Sequence, residues 1–152
     1  MKPEEYYKEY LMSIGKLAEF SPNDFITDSF GDSPELADKL LEPVLKGIKT
    51  ATCSALWEYE NEKNSMPNVG LITIVLDGKE QPSCIIETTE VTIRKYNAVD
   101  EVFAKDEGEG DLSLEYWRDA HKRFFSRTLP DIGREFTEDM LLVCERFKVV
   151  WK

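Results

Sequence analysis

The fold is decided by the stretch Leu41-Glu42-Pro43-Val44-Leu45-Lys46-Gly47-Ile48-Lys49-Thr50-Ala51-Thr52. Apolar residues at helical spacing lead up to Gly47, and a glycine just past a helix suits the left-handed turn that ends it. Residues 51–59 then read as a strand. Lys49 and Thr52 therefore lie where a helix passes into a strand, where an ammonium and a hydroxyl could form an activator and its nucleophile. The alternative is a solvated lysine beside an ordinary strand threonine, because so short a motif often matches by chance.

The remaining pattern predicts an α+β domain. Ser33-Pro34-Glu35 is typical of a helix start: a capping serine, a proline in the first helical position and an acid near the positive end of the dipole. Asp77-Gly78 is a strong hairpin signal. Periodicity and turn residues predict helices over 3–18, 33–47 and 113–125, strands over 51–59, 69–76, 83–94 and 141–151, and loops over 20–32 and 104–112.

Composition favours a single cytoplasmic domain. The chain has 152 residues, enough for one hydrophobic core, and no apolar run approaches the roughly 18 residues that a membrane span needs. The three cysteines, Cys53, Cys84 and Cys144, lie in predicted strands without the spacing of zinc ligands, and His121 is the only histidine. We therefore predict no metal and no cofactor, and we place His121 on a helix surface.

The net charge of −11 bears on the partner. Affinity for nucleic acids comes largely from neutralised phosphates, so a chain this acidic is not expected to hold long RNA or DNA tightly. A small, neutral or weakly charged ligand fits the overall field better. We expect no membrane partner, and the sequence does not indicate an oligomeric state.

Six motifs, in this order, resemble the ASCH (activating signal cointegrator homology) domain family, which belongs to the PUA-like group. The motifs are Phe30-Gly31-Asp32-Ser33-Pro34, Gly47-Ile48-Lys49-Thr50-Ala51-Thr52, Trp57-Glu58-Tyr59-Glu60, Ile86-Glu87-Thr88-Thr89-Glu90-Val91, Glu107-Gly108-Glu109-Gly110-Asp111 and Cys144-Glu145-Arg146-Phe147. The resemblance implies a small, curved, mostly antiparallel PUA-like β-barrel flanked by two to three helices. It assigns 28–152 to the ASCH domain and leaves 1–27 as an N-terminal helix and loop packed on it.

The resemblance also implies a catalytic set. Some small bacterial members hydrolyse the amide of N(4)-acetylcytidine with a lysine, a threonine and a glutamate. Their lysine and threonine match Lys49 and Thr52, and their glutamate falls most naturally on Glu109, with Glu107 and Asp111 as alternatives. In that mechanism Thr52 attacks the acyl carbon, Lys49 accepts its proton, and Glu109 protonates the leaving amine and later activates water.

Five further residues are candidates for substrate binding. Ser54 stands where those amidohydrolases carry an arginine, so the contact that the arginine makes must differ here. Trp57 and Tyr59 follow at strand spacing, where they could stack on a nucleobase or could equally pack in the core. Asp111 and Tyr116 flank the start of the third helix, where Tyr116 could face a pocket.

Two classes of function are therefore expected. The first is a small-molecule amidohydrolase acting on an acylated nucleoside or a related amide. The alternative is an RNA-binding PUA-like module, or a ribonuclease, because PUA-like domains commonly recognise RNA. The acidic charge argues against both RNA functions unless a local basic patch overrides it.

Overall fold

A computed structural model describes residues 1–62 and 66–152. Within those ranges it contains an α+β arrangement, as predicted. The helices are α1 (Pro3–Ser13), α2 (Pro34–Leu45), α3 (Leu56–Glu62), α4 (Glu101–Asp106) and α5 (Leu114–Thr128). The strands are β1 (Phe25–Asp28), β2 (Ala51–Ala55), β3 (Ile72–Leu76), β4 (Pro82–Lys95) and β5 (Leu141–Trp151).

The five strands form one mixed sheet in the order β1-β3-β4-β5-β2. β1 runs parallel to β3, whereas β3 with β4 and β2 with β5 are antiparallel pairs. The order has two ends, at β1 and β2, so the described strands do not close into a barrel. The predicted α+β class is confirmed, and the predicted barrel is not.

Contacts between Cα atoms divide the chain into two units. The first unit comprises Met1–Gly47, Val69–Thr89 and Phe147–Lys152. Its two apolar clusters rest on α2 and α1, respectively. The α2 cluster contains Leu41, Val44, Val75, Cys84, Ile86 and Phe147, and the α1 cluster contains Tyr7, Leu11, Ile74 and Ile85.

The boundaries of α2 follow from its sequence. The Ser33 hydroxyl accepts a hydrogen bond from the Leu36 amide at 3.2 Å, and Pro34 occupies the first helical position. Gly47, two residues past the last helical residue, has a φ of +76°, a conformation that favours glycine. The predicted helix start and stop are therefore confirmed.

The second unit comprises Ile48–Asn68 and Glu90–Arg146. Its core is a cluster of aromatic and aliphatic side chains from β2, α4, α5 and β5, among them Ala51, Ala55, Phe103, Trp117, Phe125, Leu129 and Leu142. Because side chains alternate along a strand, Ala51, Cys53 and Ala55 share one face of β2, and Thr52 and Ser54 share the other. α5 has 15 residues, and no helix in the described ranges is long and apolar enough to cross a membrane.

Two predicted ranges are wrong at one end: the helix 3–18 stops at Ser13, and α4 extends into the predicted loop 104–112. Two further predictions give the wrong kind of structure. β1 lies inside the segment 20–32, which was predicted to be a loop. The strand was missed because its partner β3 is distant in sequence and turn residues surround it. The predicted strand 51–59 ends at Ala55, and α3 follows. Residues 56–62 include Leu56 and three glutamates, which favour helix, and no β-branched residue to extend the strand.

The start of α5 offers a test. The Ser113 hydroxyl accepts a hydrogen bond from the Tyr116 amide at 3.0 Å, so Ser113→Ala leaves that amide without its partner. We expect a loss of about 1 kcal/mol in the free energy of unfolding, measured by urea denaturation. Ser126→Ala, at an exposed position in the same helix, is the control and should cost nothing. Equal effects of the two changes would contradict the capping role.

Candidate functional site

The backbone around Lys49 is held against the end of α4. The Thr50 amide donates a hydrogen bond to the Asp106 carbonyl oxygen at 2.7 Å. Gly108 then lies directly on the Lys49 backbone: a Cβ added at Gly108 would come within 2.7 Å of Lys49 Cα and 2.8 Å of Lys49 N. The glycine, at a φ of +69°, is what allows this close approach. As a result, Lys49 is only 2% exposed.

The Lys49 ammonium has an acceptor for each of its three protons. Nζ donates to the Ala51 carbonyl oxygen at 2.9 Å, to the Glu107 carbonyl oxygen at 3.1 Å and to Glu107 Oε1 at 3.1 Å. Three acceptors suit a charged ammonium, which has three donors and no acceptor. The contact with Glu107 Oε1 is a buried ion pair, since both side chains are at most 2% exposed.

The Glu107 carboxylate also accepts hydrogen bonds at its second oxygen. Trp117 Nε1 donates to Glu107 Oε2 at 2.5 Å, and His121 Nε2 lies 3.1 Å from the same atom. Burial acts to raise the pKa of the Glu107 carboxyl, but the Lys49 ammonium first, and then His121 and Trp117, outweigh it. The pKa is lowered, so Glu107 is ionised at neutral pH.

Glu109 lies at the open side of this cluster. Its carboxylate is 3.8 Å from Lys49 Nζ and 3.9 Å from His121 Nε2, and its side chain is 19% exposed. The Glu107 side chain, by contrast, is 2% exposed. A ligand can therefore reach the Glu109 carboxylate more readily than any other charged group of the cluster.

His121 was predicted on a helix surface, and that prediction is wrong. Its Nδ1 lies 2.8 Å from the Trp117 carbonyl oxygen, and its ring stacks on the Trp117 indole with centroids 4.2 Å apart. Burial acts to lower the pKa of His121, and the Glu107 carboxylate is the main group that outweighs it. The pKa is therefore raised. The spacing held the missed signal: residues four apart share a helix face, and the large aromatic residue Trp117 precedes His121 by four positions.

Of the predicted catalytic residues, the structure brings Lys49 and Glu109 together. Thr52 is half-buried in β2, opposite Glu145 of β5, on the strand face that does not carry Cys53. The catalytic role of all three stays a prediction.

The predicted substrate-binding residues lie in three places. Ser54 shares the strand face of Thr52. Trp57 and Tyr59 are in α3, where residues two apart do not share a face, and the Arg134 guanidinium lies 4.9 Å from the centroid of the Trp57 ring. The expectation that Trp57 and Tyr59 share a strand face is therefore wrong.

Asp111 and Tyr116 line an open surface groove of about 1030 Å³ beside the start of α5. The exposed Asp111 carboxylate accepts a hydrogen bond from the Ser113 amide at 2.9 Å. None of the residues that line this groove belongs to the Lys49 cluster. The groove and the buried cluster are therefore separate features of the second unit.

One set of side chains has the donor atoms of a metal site. The ligand atoms of Cys53, Glu107 and His121 lie within 4.8 Å of one another. Burial, and then the Glu107 carboxylate, raise the pKa of the Cys53 thiol well above its usual value. A metal ion would have to displace that proton beside the Lys49 ammonium, so the residues present do not fit a bound cation.

The family model of the ASCH domain matches residues 24–151. The chain belongs to the ASCH domain family. Two solved structures are similar along nearly its whole length. The ASCH domain of Lactobacillus crispatus JV V101 is 40% identical, with a TM-score of 0.91, over 100% of this chain and 97% of that chain. Protein EF3133 of Enterococcus faecalis V583 is 39% identical, with a TM-score of 0.87, over 97% and 87%.

Both structures share the fold of this ASCH domain protein. A comparison with the curated proteins finds no significant match. The predicted resemblance is confirmed as to family and PUA-like fold.

The packing of Gly108 on Lys49 gives a prediction. Gly108→Ala should destabilise the protein, because the new Cβ meets Lys49 backbone atoms and the φ of +69° disfavours alanine. Gly133→Ala is the matched control: its φ is +72°, but no heavy atom lies within 4 Å of the added Cβ. We expect Gly108→Ala to lower the free energy of unfolding by about 1–3 kcal/mol more than the control. Equal losses would mean that the close contact is absent.

The buried ion pair between Lys49 and Glu107 gives a second prediction about stability. Lys49→Met leaves the Glu107 carboxylate buried without its main cation, and should cost about 3–5 kcal/mol in urea denaturation. The double change Lys49→Met with Glu107→Gln should recover part of that loss. Lys8→Met is the control, because the Lys8–Glu4 pair is exposed. Its loss should lower the free energy of unfolding by about 1 kcal/mol or less. A Lys49→Met loss no larger than this control would contradict the burial argument.

Proposed function

We propose that this ASCH domain protein is a small-molecule amidohydrolase acting on an acylated nucleoside, of the N(4)-acetylcytidine type, or on a related amide. The observation that carries the proposal is the position of Glu109. Its partly exposed carboxylate lies 3.8 Å from the buried Lys49 ammonium and 3.9 Å from His121. A carboxylate that a ligand can reach, held between buried donors, is suited to take a proton and return it.

The proposed division of roles differs from the one that the family resemblance implied. Because the three acceptors around Lys49 Nζ suit a protonated ammonium, we assign Lys49 an electrostatic role instead of that of a base. It compensates Glu107 and offers positive charge near the reacting acyl group, where charge develops on the carbonyl oxygen. Glu109 then acts as base in the first half of the reaction and as acid in the second.

Thr52 is the proposed nucleophile. Because Thr52 lies on the face of β2 opposite Cys53, its proton reaches Glu109 through a bound water in this route. The hydroxyl oxygen forms a bond to the acyl carbon, the water relays the proton to Glu109, and the amide C–N bond breaks as Glu109 protonates the leaving amine. Water then hydrolyses the acyl ester, which releases the carboxylic acid and restores the Thr52 hydroxyl. Thr52 lies in β2, the last strand in the order of the described sheet, so no described strand covers the outer edge of β2.

A direct attack by water would need Glu109 but not the threonine hydroxyl. In that case Glu109 removes a proton from water, the resulting hydroxide bonds to the acyl carbon, and Glu109 protonates the departing amine. The Thr52→Val variant separates the two routes, because it removes the hydroxyl and keeps nearly the same shape. Ser54, Trp57, Tyr59, Asp111 and Tyr116 stay candidates for binding the nucleoside part.

The test is an assay of the purified protein with a panel of N(4)-acylated cytidines, following release of cytidine and the free acid. We expect Thr52→Val to abolish turnover, and Glu109→Gln to lower kcat by about 10²–10⁴-fold while substrate binding is retained. Thr89→Val, at an exposed position of β4, and Glu4→Gln, in an exposed pair, are the controls and should leave kcat unchanged.

A parallel arm uses single-stranded RNA at physiological salt. Binding should be weak and should fall steeply as salt rises, because a chain with a net charge of −11 repels phosphates. No hydrolysis of any acylated cytidine, together with tight RNA binding or RNA cleavage, would overturn the proposal in favour of the RNA function.

A further inference from the structure

Both ring nitrogens of His121 face oxygen atoms that act as acceptors. Nδ1 lies 2.8 Å from the Trp117 carbonyl oxygen, which cannot donate, so Nδ1 must carry a proton. Nε2 lies 3.1 Å from Glu107 Oε2, and an ionised carboxylate also only accepts. With Glu107 ionised, the arrangement is satisfied when Nε2 carries a proton as well.

Two further observations agree with a charged ring. The His121 ring lies over the Trp117 indole with 20° between the planes and centroids 4.2 Å apart, which is a favourable place for a cation. The neighbouring charges agree as well. With His121 protonated, the Glu107 and Glu109 carboxylates each have two cations beside them, Lys49 and His121.

We propose that His121 is a positioning residue, held as a doubly protonated imidazolium, that fixes Glu107 against Lys49 and places a positive charge beside the carboxylate of Glu109 on the open side of the cluster. The catalytic meaning of this role rests on the proposed hydrolase function. The charge state of the ring does not, because it follows from the contacts of His121 alone.

The expected pH dependence follows from the groups that face the ring. The Glu107 and Glu109 carboxylates, which follow α4, lie beside Nε2, and Cys53 of β2 and Trp117 of α5 also lie next to the ring. Lys49 contacts the same two carboxylates. The raised pKa means that the folded protein binds the proton more tightly than the unfolded chain, whose ordinary value is 6.5. The pairing therefore stabilises the fold fully below about pH 6.5, and this contribution is lost as the pH rises through the folded-state pKa.

The test uses the fact that the chain has one histidine. In protein labelled with ¹⁵N-histidine, the ring nitrogens give one set of NMR signals, which need no further assignment. We expect both nitrogens to be protonated at pH 7, with deprotonation at a higher pH than in a denatured control. A ring with one bare nitrogen at pH 7 would overturn the proposal.

Two variants identify the partners. Glu107→Gln should lower the pH of deprotonation. Because that change removes a buried charge, Glu109→Gln provides a second variant at a partly exposed position, and it should produce a smaller shift in the same direction. Glu4→Gln is the control and should shift nothing. If neither glutamate variant changes the pH at which His121 deprotonates, the ring is not paired with these carboxylates and the proposal is overturned.

A kinetic readout connects the ring to turnover. If acylated cytidines are hydrolysed, kcat/KM should fall about tenfold per pH unit above the pH at which the ring deprotonates. An alkaline limb that does not coincide with the NMR titration would overturn the positioning role. If the NMR result holds and no acylated cytidine is hydrolysed, the charge state stands and the proposed function fails.

Discussion

The buried ion pair between Lys49 and Glu107 is the interaction on which the candidate site depends. Removing two charges from water costs several kcal/mol for each, and the pair is sustained only if the remaining donors and acceptors are also satisfied. Here they are: Lys49 reaches two backbone carbonyl oxygens, and Glu107 accepts hydrogen bonds from Trp117 and His121. Gly108 permits the loop that carries Glu107 to lie on the Lys49 backbone. The cluster therefore forms as a unit.

This arrangement is the reason that the proposed function assigns proton transfer to Glu109. Glu107 is buried and fully engaged, so it serves to hold Lys49 and His121 in place. Glu109 is near the same two cations at longer distances, 3.8 and 3.9 Å, and keeps about one fifth of its side-chain surface exposed. A buried network whose donors and acceptors are satisfied can hold one carboxylate in a defined position, as the proposed proton transfer requires.

Much of the fold was predictable, because its signals are local. The cap at Ser33, the stop at Gly47 and the long strand β5 all appear in short windows of sequence. β1 was missed because it depends on pairing with a strand 47 residues later, as in the Phe25–Ile72 register, and four residues carry little signal of their own. The site divides in the same way: Lys49 lies in a local motif, whereas its pairing with Glu107 spans 58 residues. The contacts of His121 with the Glu107 and Glu109 carboxylates are likewise visible only in the fold.

The most direct measurement is an NMR titration of the ¹⁵N-labelled protein with N(4)-acetylcytidine, following backbone amide shifts. If the Lys49 cluster is a site for an acylated nucleoside, saturable shift changes should concentrate at residues 49–54 and 106–111. Glu109→Gln should keep those changes while the bound ligand persists without turnover. No saturable change at these residues, or changes confined to the first unit, would contradict the central claim that the buried ion-pair cluster supports a ligand site.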